Sequence, residues 1–352
     1  MTHSVSSTDI TVMPHGVTSM RFAVLCLLLT VIPVLATDVT VWAQATGTRL
    51  TGNASIYFAG DVMQHKEQLK SARRADGTYS YDGCFSLVEP EIGAADIAVC
   101  NLETTLGGPP YSGYPNFCSP DELAQAVKDA GFDIFLTANN HCLDRGNRGL
   151  IRTLNVLDSL GIAHLGTYRD LAERDSIYPF MAEHDGIRIA LLNYTYGTNG
   201  ITVSAPCIVN YIDTAIIRAD IARAKKQKAD CIIACMHWGT EYMTKPDYSQ
   251  KQLEDWLYAH GVDHIIGGHP HVVQPVRTLP DYRGRASEHL TVWSLGNYIS
   301  NMSAPHTDHG LAVTLHLLRI GNVTRMNSYD LHPNRTLRPA QNSNGSYRVV
   351  PE

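Results

Sequence analysis

The stretch Gly267-Gly268-His269-Pro270-His271-Val272-Val273-Gln274-Pro275 follows an apolar run, Val262 to Ile266, and sets two imidazoles two residues apart at its end. The run reads as a buried strand. The glycines weaken it and the proline removes a ladder donor, so pairing stops there and two titratable rings stand at the strand's carboxyl end. In open α/β sheets ligands bind at that end. Alone, the pattern is also compatible with a turn carrying incidental histidines. Four other segments repeat its form. Ser55 to Ala59 runs into Gly60-Asp61-Val62-Met63, and Asp96 to Cys100 into Asn101-Leu102-Glu103. Phe132 to Leu136 runs into Thr137-Ala138-Asn139-Asn140-His141, with Asp144 and Gly146 beyond, and Cys231 to Met236 into His237-Trp238-Gly239-Thr240-Glu241-Tyr242. Each run suits a strand covered on both faces. Five strand ends therefore offer Asp, Glu, Asn, His and a His pair. Hard oxygen donors mixed with imidazole suit Mn²⁺, Fe or Zn²⁺ better than the cysteine-rich set of a structural zinc site.

The ordered set Gly-Asp-x-Met, Asn-Leu-Glu, Ala-Asn-Asn-His-x-x-Asp-x-Gly, His-Trp-Gly-x-Glu-Tyr, Gly-x-His-Pro-His-x-x-Gln and Ser294-Leu295-Gly296-Asn297-Tyr298-Ile299 resembles the capsule-synthesis CapA family, also called the poly-γ-glutamate biosynthesis family. That family looks like a branch of the calcineurin-like metallophosphoesterases. The resemblance runs over about residues 53 to 320, and the order of the motifs makes it specific. It implies a single α/β domain of the calcineurin-like sandwich type, two sheets flanked by helices.

The resemblance also implies roles. Asp61 would hold one metal, and Glu103 would take the bridging carboxylate position, where the wider superfamily more often has Asp. Asn140 would ligate a second metal through its amide oxygen, with His237 and His269, while His271 returns to the first. His141, next to a ligand but not one itself, would be the general acid; its alternative is to donate to Asp144 or orient Asn140. One departure stands out: the superfamily's Asp-x-His is Asp61-Val62-Met63 here. A thioether is a poor ligand for a hard divalent cation. The first site is then weak, mononuclear in practice, or rescued by His65, so one or two divalent ions per chain are expected.

Such ions activate a water and stabilise the attacking and leaving oxygens, and a nearby unligated histidine supplies the leaving group's proton. The implied function is a metal-dependent hydrolase acting in capsule or poly-γ-glutamate metabolism on a phosphoester or an amide. The alternative is a noncatalytic protein that retains the anionic surface polymer in the same cleft, and fold alone does not separate the two. Capsule-synthesis membrane proteins are further expected partners. Glu241, Tyr242 and Asn297 are candidates for substrate contact, with a solvated carboxylate and a turn-forming Asn as the bland readings. Trp238 reads as a wall packed on the ligand histidine. His164, His184, His289 and His316 lie outside every motif and read as ordinary surface or core residues.

The elements that must position these groups follow from the intervals. Ser119-Pro120-Asp121 opens a helix with a cap and an N1 proline that ends at Gly131; Gly149 to Leu160 carries Leu150, Leu154 and Leu157 on one stripe. Asp213 caps Ala215 to Lys228, and Ser249 with Gln252 forms a capping-box candidate before Leu253. Strands alternating with helices make βαβ units. The chain has 352 residues and a formal net charge of −6, with no long basic tract, so nucleic-acid binding through phosphates is not suggested.

At the N-terminus Arg21 precedes the apolar stretch Phe22 to Ala36, and Ala43-Gln44-Ala45 gives a small-x-small cleavage pattern. Residues 1–45 read as a secretory signal peptide, with Met20 an alternative start and a retained membrane anchor the competing reading. An exported protein, periplasmic or extracellular, is expected, with a domain over 46–320 and an irregular tail over 321–352. Cys26 lies inside the apolar run and is a poor lipid-attachment residue. Seven cysteines remain after cleavage. Cys231 and Cys235 read as core thiols, Cys142 as buried, and Cys84 and Cys118 as a pair that an oxidising compartment would permit to join.

Overall fold

The structure is a computed structural model that describes residues 50–280, 288–343 and 345–352. The proposed leader and its cleavage point lie outside the described residues. Four parallel strands open the fold: β1 (Leu50–Val62), β2 (Ile97–Leu102), β3 (Ile134–Leu136) and β4 (Ala163–Leu165). Between them run α1 (Lys66–Ala72), α2 (Glu89–Ile92), α3 (Asp121–Asp129) and α4 (Gly146–Ser159). The middle of the chain adds β5 (Thr167–Tyr168), α5 (Leu171–Ile177), β6 (Phe180–His184), β7 (Ile187–Thr195), β8 (Ile208–Val209), α6 (Thr214–Lys226), β9 (Cys231–His237), α7 (Tyr248–His260) and β10 (His264–Gly268). It closes with β11 (Val276–Pro280), β12 (Glu288–Val292), β13 (Asn297–Ile299), β14 (His309–Ile320), β15 (Val323–Leu337) and β16 (Arg348–Pro351).

Among the described residues these form two main sheets. One has the order β16-β15-β14-β1-β2-β3-β4, with β13 also paired to β1; the other has the order β11-β12-β10-β9-β7-β6. Alternate residues of each strand point to opposite faces. Ile56 and Phe58 of β1 therefore meet Leu191, Ile233 and Ile265 of the second sheet in one core, while Tyr57 and Ala59 pack with Phe135, Leu123 and Val127 under the helices. The architecture is the expected α/β sandwich of two sheets flanked by helices.

Local departures have local causes. The tail from residue 321 is not irregular: β15 pairs antiparallel with β14 from Ile320↔Val323 to His309↔Arg335, and β16 adds to β15. The reason is Gly321-Asn322, a two-residue hairpin loop with Gly321 at φ 59°, which turns the chain back instead of releasing it. The capping box of α7 is formed by Asp247 and Gln250, not Ser249 and Gln252, because Ser249 falls inside the first turn and its hydroxyl donates to Asp247. The cap of α3 is Pro120 itself, one residue later than the spacing predicts.

Candidate metal centre

Asp61 stands near the end of β1 and is fully buried. Asn101 of β2 lies beside it in register and donates through Nδ2 to Asp61 Oδ1 at 2.8 Å and to Glu103 Oε2 at 3.3 Å, so one amide spaces the two carboxylates. Asn139 donates to the Leu102 carbonyl oxygen at 2.8 Å and accepts from the His141 backbone N–H at 3.1 Å, which shapes the turn that presents Asn140. His237 ends β9, with Nε2 2.8 Å from Asn140 Oδ1 and 3.8 Å from Glu103 Oε1. His269 follows β10, and its backbone N–H donates to Asp61 Oδ2 at 3.3 Å. His271 places Nδ1 3.4 Å from Asp61 Oδ2 and Nε2 3.8 Å from Glu103 Oε1.

All six sequence-predicted ligand candidates therefore converge. Among the described residues two sets have donor atoms within 4.8 Å of one another: Asp61, Glu103 and His237, and Glu103, His269 and His271. Glu103 is common to both. His269 groups with Glu103 and His271, and its ring is also 4.8 Å from that of His237, whose Nε2 meets Asn140.

The glycines before the His pair have a steric reason. A Cβ on Gly267 would collide with the Trp293 carbonyl oxygen, and one on Gly268 would come within 2.9 Å of Asp61 Oδ1. Beyond them His269 (φ 96°), His271 (φ 59°) and Tyr242 (φ 65°) all occupy the left-handed region, rare for such residues and concentrated here at one site.

The residues fit a divalent cation. Glu103 Oε1 and His269 Nδ1 are buried without a hydrogen-bond partner, an arrangement that is costly unless something pairs them. Burial, then the charge of Asp61, pushes the Glu103 carboxyl well above the usual range. Burial would raise Asp61 too, but the hydrogen bond from His271, the neighbouring imidazoles His237 and His271, and Asn101 hold it at about 2. Burial and the adjacent His271 lower His269 to about 3, and burial with His269 drives His237 well below its ordinary value. Neutral His237 and His269 beside an ionised Asp61 are the states that metal ligation needs, and a cation between the carboxylates would offset the repulsion and burial that raise Glu103.

The other predicted residues divide. His141 Nδ1 is 2.7 Å from Asp144 Oδ2, which also accepts from the Phe117 backbone N–H, and its ring meets the Phe117 ring edge-on at 4.6 Å. Tyr242 is half exposed with its ring 6.3 Å from His271, and Glu241 precedes it. Asn297 does not face the cleft: it is buried, pairs in register with Asp61, lies through Oδ1 3.0 Å from His271 Nδ1, and donates to the Thr307 carbonyl oxygen. Its place is behind His271. Met63 is buried; His65 is outside both donor sets, its Nδ1 3.2 Å from Gln68 Oε1 and accepting from the Asn301 N–H at 3.3 Å. Trp238 stacks on Trp293 and donates to its carbonyl oxygen, so it belongs to the core and not to the wall of the site.

That wall is Tyr196, which sequence reasoning missed. Its ring lies parallel to His237 at 6.4 Å and 4.4 Å from His269. The signal was present: β7 is one more apolar run that breaks into a polar turn, Tyr196-Gly197-Thr198-Asn199. Asn199, in the left-handed region at φ 49°, accepts from Asn140 Nδ2 at 3.3 Å. The seven described cysteines are buried, and Cys84 and Cys118 are both thiols, not joined to each other. His164, His184 and His316 pair with Asp158, Asp96 and Asp330, away from the centre.

The family described as bacterial capsule synthesis protein PGA_cap matches residues 55–302, a span that holds every donor above. The chain belongs to this family. Among its PGA_cap relatives, the PGA biosynthesis protein CapA of Bacillus subtilis is 28% identical over 281 residues, covering 76% of this chain and 68% of that protein. The capsule biosynthesis protein CapA of Bacillus anthracis is 25% identical over 313 residues, covering 84% and 72%. Solved structures similar to this PGA_cap chain include the NAD nucleotidase of Haemophilus influenzae (TM-score 0.49, 16% identity, 85% of this chain and 53% of that one). The calcineurin-like phosphoesterase YfkN from Bacillus subtilis is another (TM-score 0.45, 14% identity, 81% and 91%).

Proposed function

We propose that the chain is an exported metal-dependent hydrolase of surface-polymer metabolism, acting on a phosphoester or an amide of a capsule or poly-γ-glutamate type polymer. The observation that carries the reading is His141. It is buried against the donor set without belonging to it, and its Nδ1 is committed to Asp144, so Nε2 is the atom that can exchange a proton with substrate. A retention module needs donors for cations but has no use for an oriented imidazole beside them.

When bound, one or two divalent ions supply Lewis acidity and an activated water. Asp61, Glu103, Asn140, His237, His269 and His271 hold them, and Asn297 and Asn101 orient the ligands from behind. Asp144 keeps His141 in the tautomer that protonates the leaving group. Glu241 and Tyr242 meet the substrate at the mouth. Membership of the capsule synthesis family and the names of the Bacillus relatives support a polymer substrate and capsule-synthesis membrane proteins as partners. The Arg21-led apolar segment and Ala43-Gln44-Ala45 support export.

A metal-loaded preparation should cleave phosphodiesters or γ-linked glutamyl peptides and stop when chelated. Protein that binds polyglutamate, fully loaded, and cleaves neither class leaves the retention reading standing. For export, N-terminal sequencing from the native host should begin near Thr46; an intact Met1 or Met20 on a cytosolic product overturns that part.

A further inference from the structure

The loop that leaves β7 is held more firmly than a connection requires. Thr195 donates its N–H to the Asn210 carbonyl oxygen at 2.9 Å and accepts from Ile212 at 2.9 Å, and the Tyr196 N–H donates to the His237 carbonyl oxygen at 3.0 Å. Further along, the Thr198 hydroxyl donates to the Ile201 carbonyl oxygen at 2.6 Å and lies 2.9 Å from the Tyr211 hydroxyl. Asn199 ties the loop's end to Asn140. The result is a fixed position for one side chain. Tyr196 lays its ring over His237 and His269, yet 47% of the residue stays exposed. A ring that only sheltered imidazoles would do as well without a hydroxyl. Tyr196 thus stands against two members of the donor set and is still open to solvent, so a group bound there can meet it.

We propose that Tyr196 is a substrate-contacting residue whose hydroxyl donates a hydrogen bond to a non-bridging oxygen of the tetrahedral anionic group seated at the metal centre. The proposal rests on the hydrolase reading. A neutral phenol placed by the fold, and not by the substrate, needs no reorganisation to stabilise charge as it develops there. Phosphoryl groups and the tetrahedral adducts of amides share this chemistry, and orthophosphate presents the same oxygen geometry without turnover.

The test uses full-length metal-loaded protein, with metal content measured by elemental analysis and orthophosphate affinity by titration calorimetry. Y196F should keep its metal, because the ring over the histidines remains, and should bind orthophosphate about tenfold more weakly, the usual effect of losing one hydrogen bond to a charged group. Y196A should bind orthophosphate at least as weakly as Y196F. Y196F that binds orthophosphate as tightly as wild type, or that loses its metal, overturns the proposal and makes Tyr196 a packing residue. Loaded wild type that does not bind orthophosphate at all overturns this proposal, whereas loss of the hydrolase reading requires that it also cleave neither phosphodiesters nor γ-linked glutamyl peptides.

Discussion

His237 Nε2 lies 2.8 Å from Asn140 Oδ1, and the two residues come from different sheets. His237 ends β9 of one sheet, and Asn140 follows β3 of the other. The donor set is therefore a seam between the layers, with Asp61 and Glu103 on one side and His269 and His271 on the other.

Because both sheets supply donors, an ion binds the folded chain only. Divalent metal at a hundred times its Kd should stabilise the protein by about 2.7 kcal/mol. For a chain of this size that is a rise in Tm of about 4 °C. A double variant, His269→Ala with His271→Ala, should fold, lose bound metal and show no metal-dependent rise. Differential scanning calorimetry with elemental analysis after dialysis decides it; unchanged metal content would mean that the ligands are misassigned.

His141→Ala should keep its metal and lose turnover by about 10²- to 10⁴-fold, the contribution of a positioned general acid. The loss should shrink for substrates such as nitrophenyl esters, whose leaving group needs no proton. Equal losses on both substrate types would assign His141 to structure instead.

Metal-free protein should weaken as pH falls below neutrality. Burial holds His65 at about 4 and His269 at about 3, and His237 is lowered as well. All three titrate near 6.5 when unfolded. Below 6.5 the unfolded chain binds protons at these three imidazoles that the folded chain does not, each contributing a decline of up to about 1.4 kcal/mol per unit as pH drops towards 4, while the raised Glu103 carboxyl, protonated in the folded chain, offsets about one of the three. Urea midpoints at pH 7.5 and 5 check this. Equal midpoints would show that these imidazoles are not held neutral, and bound metal should deepen the acid loss because protons compete with it.

Arg174 of α5 donates to Asp220 of α6 at 2.6 Å and to Asn210 at 2.8 Å, and the Tyr194 hydroxyl donates to the same carboxylate at 2.9 Å. Both charged side chains are largely buried. Arg174→Met should cost about 3 to 5 kcal/mol in chemical denaturation by leaving Asp220 uncompensated. Since Asn210 also anchors Thr195 at the base of the Tyr196 loop, orthophosphate affinity should fall with it. A loss below about 1 kcal/mol would show that the pair is hydrated.

The sequence by itself determined the donor types and their positions at strand ends, because an apolar run that breaks at glycine, proline or a cap is a local signal. An Asp, a Glu, an Asn, a His and a His pair at strand ends were legible that way, as was the α/β alternation, and the order of the motifs singled out Asp61, Glu103, Asn140, His237, His269 and His271 through the family resemblance. The hairpin at Gly321-Asn322 was also local, but the polar composition of the tail masked it, and β15 is a strand because β14 supplies its partner. Tertiary structure alone decided which strand ends meet. Spacing along the chain does not say that β3 and β9 lie in facing sheets, that Asn297 registers beside Asp61 behind His271, or that Trp238 turns into the core while Tyr196 covers the histidines. The pairing of strands and the packing of one sheet on the other are set by the whole apolar surface being buried at once, and no single segment carries that information.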